Sequence, residues 1–288
     1  MPSAGPRRVR VVTDSPADIP AHLLRSLEIS VVPVLVIFGD EVFREGLDIT
    51  TTQFFSQLLV SRSLPATSPP NVAAYLNVYE PLLEKGYDIV SVHLSEGVSG
   101  AIDNARRAAV KLGSGRITIV DSRQWGMGLG WVVIEAAEAA QRGSSADEVA
   151  AAARSAAKRS AMYTLLGDTR YAHRAHHVSG KVALASRALG LTPILTLSDG
   201  ALRRVGVALS WRRGVAQLLR QVQTHQPWDG CAVLHTRRPD EAQRLLDLVS
   251  RQGACRRSLV TEFGPAMTAH IGPGALGLAV LGGKDSQG

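Results

Sequence analysis

The chain has 288 residues, of which 45% are hydrophobic, 20% charged and only 5% aromatic, with a formal net charge of +7. That is the composition of a globular protein long enough for a sizeable core, built from Val, Leu, Ile and Ala rather than from rings. The basic residues are scattered as pairs such as Arg203-Arg204, Arg212-Arg213 and Arg256-Arg257, which read as solvated helix-face arginines. No basic stripe interleaved with aromatics is present, which argues against nucleic-acid binding.

In chain order, residues 9–13 read as a strand, 21–27 as a helix and 29–37 as a second β-rich run. Residues 48–60 read as a helix with Thr50 to Thr52 as candidate caps, and 71–85 as another helix. A strand at 89–94, a helix at 100–112, a strand at 117–120 and a helix at 131–141 follow. Strands alternating with helices of this length indicate βαβ units and a mainly parallel sheet. The Ala-rich stretch 144–160 is a helix opened by Ser145 with Glu148 three residues on, the spacing of a capping box. The grammar then changes. A β-hairpin is expected at 194–207 around Ser198-Asp199-Gly200, with strands at 231–235, 259–261 and 278–281 and a helix at 240–252. The expected division is an N-terminal α/β domain, residues 1–160, and a smaller α+β C-terminal domain, residues 161–288, with frayed termini.

Two cysteines, Cys231 and Cys255, stand far apart in sequence and read as reduced cytosolic thiols. The first ten residues hold no apolar signal core, and the longest apolar run, residues 29–38, is too short to span a bilayer. A cytoplasmic protein with no membrane span is expected.

Several segments carry chemistry. Thr13-Asp14-Ser15 closes the first strand, where open α/β sheets place ligands, although Asp and Ser there also cap turns. Residues 64–70 (LPATSPP) form a proline-stiffened loop exposing the hydroxyls of Thr67 and Ser68, suited to a carboxylate or phosphate, or to an ST-turn before the next helix. Ser95-Glu96-Gly97-Val98-Ser99-Gly100 links a strand to a helix. Its free N–H groups suit an anion, though it is neither a Walker motif nor a full GxGxxG, and an unliganded glycine turn is the commoner occurrence of such a sequence. The small residues of Gly126-Met127-Gly128-Leu129-Gly130 leave room for a ligand or for tight helix packing. His173, His176 and His177 suggest zinc, but no Cys or acid stands at ligand spacing, so a solvated loop is expected and no metal. Residues 270–277 place His270 beside a glycine- and proline-rich loop. No Gly-x-Ser-x-Gly elbow surrounds Ser95 or Ser99, and charged side chains at the strand ends are few. This is the chemistry of a binding site more than of an enzyme.

Taken in order, these segments resemble the DegV family from about Val9 to Leu281. VTDSPADIP at residues 12–20 is similar to the family's Thr-Asp-Ser-x-Ala-Asp-Leu opening. Val32-Pro33-Val34, Phe38-Gly39-Asp40, Asp48-Ile49-Thr50 and Phe54-Phe55 continue the match. Residues 65–68 resemble the Pro-x-Thr-Ser-Gln-Pro loop, and 94–100 the Ser-Ser-Gly-Leu-Ser-Gly turn. Asp121-Ser122, Met127-Gly128 and residues 270–277 complete it. The resemblance implies a non-catalytic carrier that buries one long-chain fatty acid in a tunnel between two domains, with no other cofactor. It implies a ligand site at Thr67, Ser68, Ser95, Glu96, Gly97, Ser99, His270, Ser15 and Gly128. It also implies a possible partner, a separate fatty-acid kinase that phosphorylates the bound carboxylate. The rival reading is a small-molecule α/β hydrolase or phosphotransferase using the Ser95–Gly100 turn; a third is a regulatory adaptor with an empty site.

Four positions depart from the family pattern. Glu96 replaces the second serine of the Ser-Ser-Gly turn, and Pro69 replaces the Gln of Thr-Ser-Gln. The family's Arg-x-Gly-Arg-Ile-Ser-Gly becomes residues 174–180, RAHHVSG, and its Arg-Thr pair becomes Leu209-Ser210. Burying about a dozen methylenes at ~0.8 kcal/mol each outweighs a lost serine hydrogen bond of about 1–2 kcal/mol. Lipid binding is therefore expected to survive, with altered headgroup preference. Glu96 is expected to point to solvent at the helix N-terminus rather than at the ligand.

Overall fold

The protein is described by a computed structural model covering residues 7–177, 179, 180, 184 and 188–283. The expected frayed ends, residues 1–6 and 284–288, and Val178 of the 174–180 stretch lie outside the described residues. In chain order the first elements are β1 (Val9–Asp14), α1 (Ala21–Ser26), β2 (Ser30–Val32), β3 (Leu35–Phe38), β4 (Glu41–Arg44), α2 (Thr51–Val60) and β5 (Ala66–Ser68). They continue with α3 (Val72–Glu84), β6 (Asp88–His93), α4 (Ala101–Leu112), β7 (Ile117–Asp121), α5 (Gly126–Gln141), α6 (Ala146–Arg159), β8 (Ser160–Leu165) and α7 (Thr169–Arg174). The last are β9 (Thr192–Ser198), β10 (Ala201–Ala208), α8 (Trp211–Gln223), β11 (Trp228–His235), α9 (Pro239–Gln252), β12 (Cys255–Glu262), α10 (Pro265–Ile271) and β13 (Leu276–Gly282).

Local signals explain many of the boundaries. Thr50 and Gln53 form a reciprocal capping box on α2, and Ser145 and Glu148 form another on α6. Asn71 accepts from the Ala74 N–H and opens α3. The apolar run at 29–37 splits into β2 and β3 across Pro33, which has no N–H to give a ladder.

Three sheets result. β2-β1-β6-β7 is fully parallel, with Tyr75, Tyr79 and Leu83 of α3 and Ala105 and Ala108 of α4 packed on one face. The second sheet, β10-β9-β8-β13-β11-β12, is mixed and carries α8 and α9 on its outer face. Between the two sheets lies α5, buried from Gly126 through Ala137, so Trp131, Val132 and Val133 share one apolar core with residues of both sheets. The third sheet, β4-β3-β5, is a small antiparallel platform on which α2 and α10 pack through Phe54, Ala266 and Ala269. The chain is thus α/β, with a parallel N-terminal sheet and a mixed C-terminal one.

Some expectations are corrected. Residues 66–68 are the edge strand β5, not a loop, because Leu35 and Val36 of β3 pair with Ser68 and Thr67. Gly126 to Gly130 is the first part of α5, and His270 sits on α10. β4, β8, α7 and α8 had no counterpart in the sequence reading. β8 follows α6 without any turn residue and is buried along its whole length, so no alternation marks it. Arg257 is not a solvated helix-face arginine: it lies on β12, bonds Glu135 at 2.6 Å and Glu138 at 2.9 Å, and stacks over Trp131. Cys231 and Cys255 occupy neighbouring strands as free thiols.

Candidate functional site

The site is assembled by β5, α10 and the segment after α7. β5 holds Thr67 opposite Val36, while α10 packs beneath β3 and β5 and presents His270 on its last turn. Thr67 Oγ1 lies 2.7 Å from His270 Nε2, although 203 residues separate them. On the other side of the ring, His270 Nδ1 lies 2.9 Å from His177 Nε2, and the two imidazoles stack with centroids 5.1 Å apart. His177 is held by its own N–H, which donates to Ala172 O at 2.8 Å and closes the turn after α7. Burial, with His177 alongside, pushes the His270 imidazole down to about 4. Burial also lowers His177, with His176 adding to it, so both rings are neutral at pH 7. Thr67, His177 and His270 are each half-buried, so the relay sits at an accessible margin. The expectation of a solvated histidine loop thus fails for His177, whose burial and bonding arise from contact with α10.

The 94–100 turn and the start of α4 lie against Pro69 and Pro70, which follow β5. Asn104 Nδ2 donates to Pro70 O at 2.9 Å, and a Cβ on Gly100 would stand 3.9 Å from Pro69 Cγ. Ser95 is buried; its hydroxyl donates to Gly200 O at 2.8 Å in the β9–β10 turn and accepts from the Gly97 N–H at 3.3 Å. A Cβ on Gly97 would come within 2.4 Å of Gly200 O, so only glycine allows the hairpin tip to close on this turn. Ser99 accepts from the Ala101 N–H at 3.2 Å. Glu96 points to solvent and pairs with Arg106 at 2.9 Å, and that arginine lowers its carboxyl below the usual range. The side chain therefore stays ionised, exposed and held to α4 through its bond to Arg106.

Ser15 and Gly128 lie apart from the cluster. Ser15 accepts from the Val34 N–H at 3.0 Å and donates to Glu45, lining a separate cavity of 580 Å³ with Asp18, Leu24 and Thr261. Asp18 and Glu45 bind the Gly264 and Ala266 N–H groups at 2.9 and 2.8 Å, and burial raises both carboxyls. Gly128 serves packing: a Cβ there would meet Gln124 Oε1 at 2.9 Å and Met162 Cβ at 3.2 Å, where α5 crosses β8.

The DegV family model, described as an uncharacterised protein of that family, matches residues 8–282. The chain belongs to the DegV family. A DegV domain-containing protein of Streptomyces coelicolor is 33% identical over 283 residues, covering 95% of this chain and 98% of the relative. The fatty-acid-binding DegV family protein of Thermus thermophilus superposes with a TM-score of 0.83 at 25% identity, covering 96% of this chain and 99% of its own. DegV of Bacillus subtilis, a fatty-acid-binding protein, superposes with a TM-score of 0.81 at 25% identity over the same shares.

Within this DegV fold, one constellation escaped the sequence reading. The register of β1 with β6, Val12 opposite Ser91 and Thr13 opposite Val92, brings Asp14 beside His93. His93 Nδ1 lies 2.9 Å from Asp14 Oδ1, and His93 Nε2 lies 2.7 Å from Ser91 Oγ. These are the distances of a serine–histidine–aspartate triad, yet all three residues are 0% exposed. The Tyr79 hydroxyl donates to Ser91 Oγ at 2.8 Å, so the Ser91 hydroxyl donates to His93 Nε2 and the His93 Nδ1–H donates to Asp14. Tyr75 and the Leu94 N–H also donate to Asp14, at 2.8 and 3.1 Å. The arrangement joins α3, β1 and β6 and is sealed from substrate. The available signal was the Ser91-x-His93 alternation, which puts both side chains on one face of a strand. Among the described residues no three His, Cys, Asp or Glu side chains gather to hold a metal, and no helix is long and apolar enough to cross a membrane.

Proposed function

We propose that the chain binds one long-chain fatty acid between its N-terminal unit, residues 1–160, and its C-terminal unit, residues 161–288. In this reading the carboxylate sits at Thr67, Ser68 and His270, backed by the 94–100 turn. The acyl tail enters the apolar cluster to which Leu94, Val98, Met162, Leu195 and Phe263 contribute. The carrier acts in the cytoplasm and offers the carboxylate to a separate fatty-acid kinase. The observation that carries the reading is the 2.7 Å contact of Thr67 with His270, a hydroxyl–imidazole pair at an accessible margin, in a chain 25% identical to fatty-acid-binding relatives. Native mass spectrometry of the purified protein tests it: a retained fatty acid is expected, and a chain that stays empty after incubation with oleate would sink it.

No chemistry of the chain's own is proposed. Ser95 is buried with its proton committed to Gly200 O, and no base stands beside it among its hydrogen bonds. The purified protein is expected to turn over neither acyl esters nor ATP; turnover abolished by Ser95→Ala would reverse this assignment. Glu96 gives a second check. Because it pairs with Arg106 at the surface, a pair worth about 0–1 kcal/mol, Glu96→Ser is expected to leave fatty-acid affinity within about fivefold of wild type and the shape of its pH profile unchanged. Recovery of high-pH affinity by the serine variant would instead place Glu96 against the ligand carboxylate.

A further inference from the structure

The hydrogen bonds of the Thr67–His270–His177 chain admit two neutral arrangements. In one, Thr67 donates its proton to His270 Nε2, and His270 Nδ1–H donates to His177 Nε2. In the other every proton is reversed: His177 donates to His270 Nδ1, His270 Nε2–H donates to Thr67 Oγ1, and the threonine hydroxyl is free to donate outward. Each heavy-atom pair holds one proton, so the two ends cannot be set independently at 2.7 and 2.9 Å. A carboxylate has only acceptors, so it selects the second arrangement. One added proton makes this permanent: His270 then donates at both nitrogens, to Thr67 and to His177, and the cation stands one hydroxyl away from the anion. We propose that this site loads its fatty acid with uptake of a proton by the His270–His177 pair, which makes His177 a specificity residue for ionised acyl chains. The inference rests on the fatty-acid reading above.

The surroundings favour it. β3 and β5, which pack on α10, contribute no charged residue. α7 and its cap carry Asp168 and Arg170, ion-paired to each other at 2.5 Å, with His173 and Arg174 exposed beyond them. Asp18 and Glu45 bond the opposite, N-terminal end of α10, and His176 stands next to His177. The unloaded pair is neutral at pH 7, because burial holds His270 near 4. A bound carboxylate raises that value, so protons are taken up between the unloaded and loaded values. Affinity is then highest at low pH and falls as pH rises through the loaded value, by up to about tenfold per pH unit for one proton.

The test is calorimetric titration of the delipidated protein with sodium oleate, kept below its micelle concentration, in phosphate and in Tris at equal pH. The heats are expected to differ by the buffer's ionisation enthalpy times a proton number between roughly half and one near pH 6.5. His177→Asn, which keeps a hydrogen-bonding side chain but does not titrate, is expected to bind oleate with less than about half that uptake and a flatter pH profile. Oleyl alcohol, with a neutral headgroup, is expected to bind without buffer dependence. Side-chain nitrogen NMR of wild-type histidines before and after loading reports the same proton without any variant. Oleate binding with equal heats in both buffers, or nitrogen NMR that finds no histidine protonated on loading, overturns the proposal, the latter because the proton then resides on the ligand; uptake unchanged in His177→Asn overturns the part assigned to His177. No oleate binding in any buffer would instead sink the fatty-acid reading itself.

Discussion

Replacing Asp14 with alanine is expected to lower the unfolding free energy by about 3–5 kcal/mol at neutral pH, since each buried donor left without its acceptor costs about 1–3 kcal/mol. The effect is large because three donors lose one acceptor together. Tyr75 OH, the Leu94 N–H and His93 Nδ1 all converge on the carboxylate, and Ser91 with Tyr79 depends on the His93 tautomer that Asp14 sets. Asp14, Tyr75, Tyr79, Ser91 and His93 all sit at zero exposure, so water cannot replace the missing acceptor there. Urea unfolding followed by circular dichroism measures it, with the loss read from the shift in midpoint at constant slope. A loss below about 1 kcal/mol would mean that the network contributes little, and that Asp14 has another reason to be buried. The same geometry separates a structural network from a catalytic one: a serine nucleophile needs an approach path, and Ser91 has none.

The largest expected effect on binding comes from Thr67→Ala combined with Ser68→Ala. Loss of one or two hydrogen bonds to a charged headgroup weakens affinity by about 1–3 kcal/mol, roughly 5- to 150-fold. β5 is a short edge strand whose ladder uses backbone groups, so the fold is expected to persist with less than about 1 kcal/mol of destabilisation. Thr67→Ala also leaves His270 Nε2 without its 2.7 Å partner, so most of the effect is expected to come from that residue rather than from Ser68. A lipid-displacement titration on the double variant, beside the thermal melt, checks both halves. Unchanged affinity with an intact melt would remove these hydroxyls from the headgroup site and leave the 94–100 turn as the remaining place for it.

The sequence by itself determined the elements whose causes are local. Capping at Thr50 and Ser145, the helix opening at Asn71, the hairpin at Asp199-Gly200 and the βαβ alternation are set by residues within a few positions of one another, and those elements stand where they were expected, whereas the run at 29–37, expected as one β-rich run, is broken at Pro33. The joint order of weak motifs was also legible, which is why the DegV resemblance could be seen although no single motif is specific. What only tertiary structure decided is which of these motifs meet. His270 joins Thr67 across 203 residues and His177 across 93, because α10 packs beneath the small sheet and beside α7. Asp14 meets His93 because one register of β1 and β6 is hydrogen-bonded and the alternative, shifted by one residue, would turn the strand's apolar face to the wrong side. Gly128 reads alike in sequence whether it spares room for a ligand or for a helix; the approach of Met162 made it the second. Glu96 reads alike toward ligand or solvent, and Arg106, ten residues on along α4, turned it outward. A side chain's partner is chosen by layers packing at distances that no local pattern encodes, and the chemistry of this site lies almost wholly in those choices.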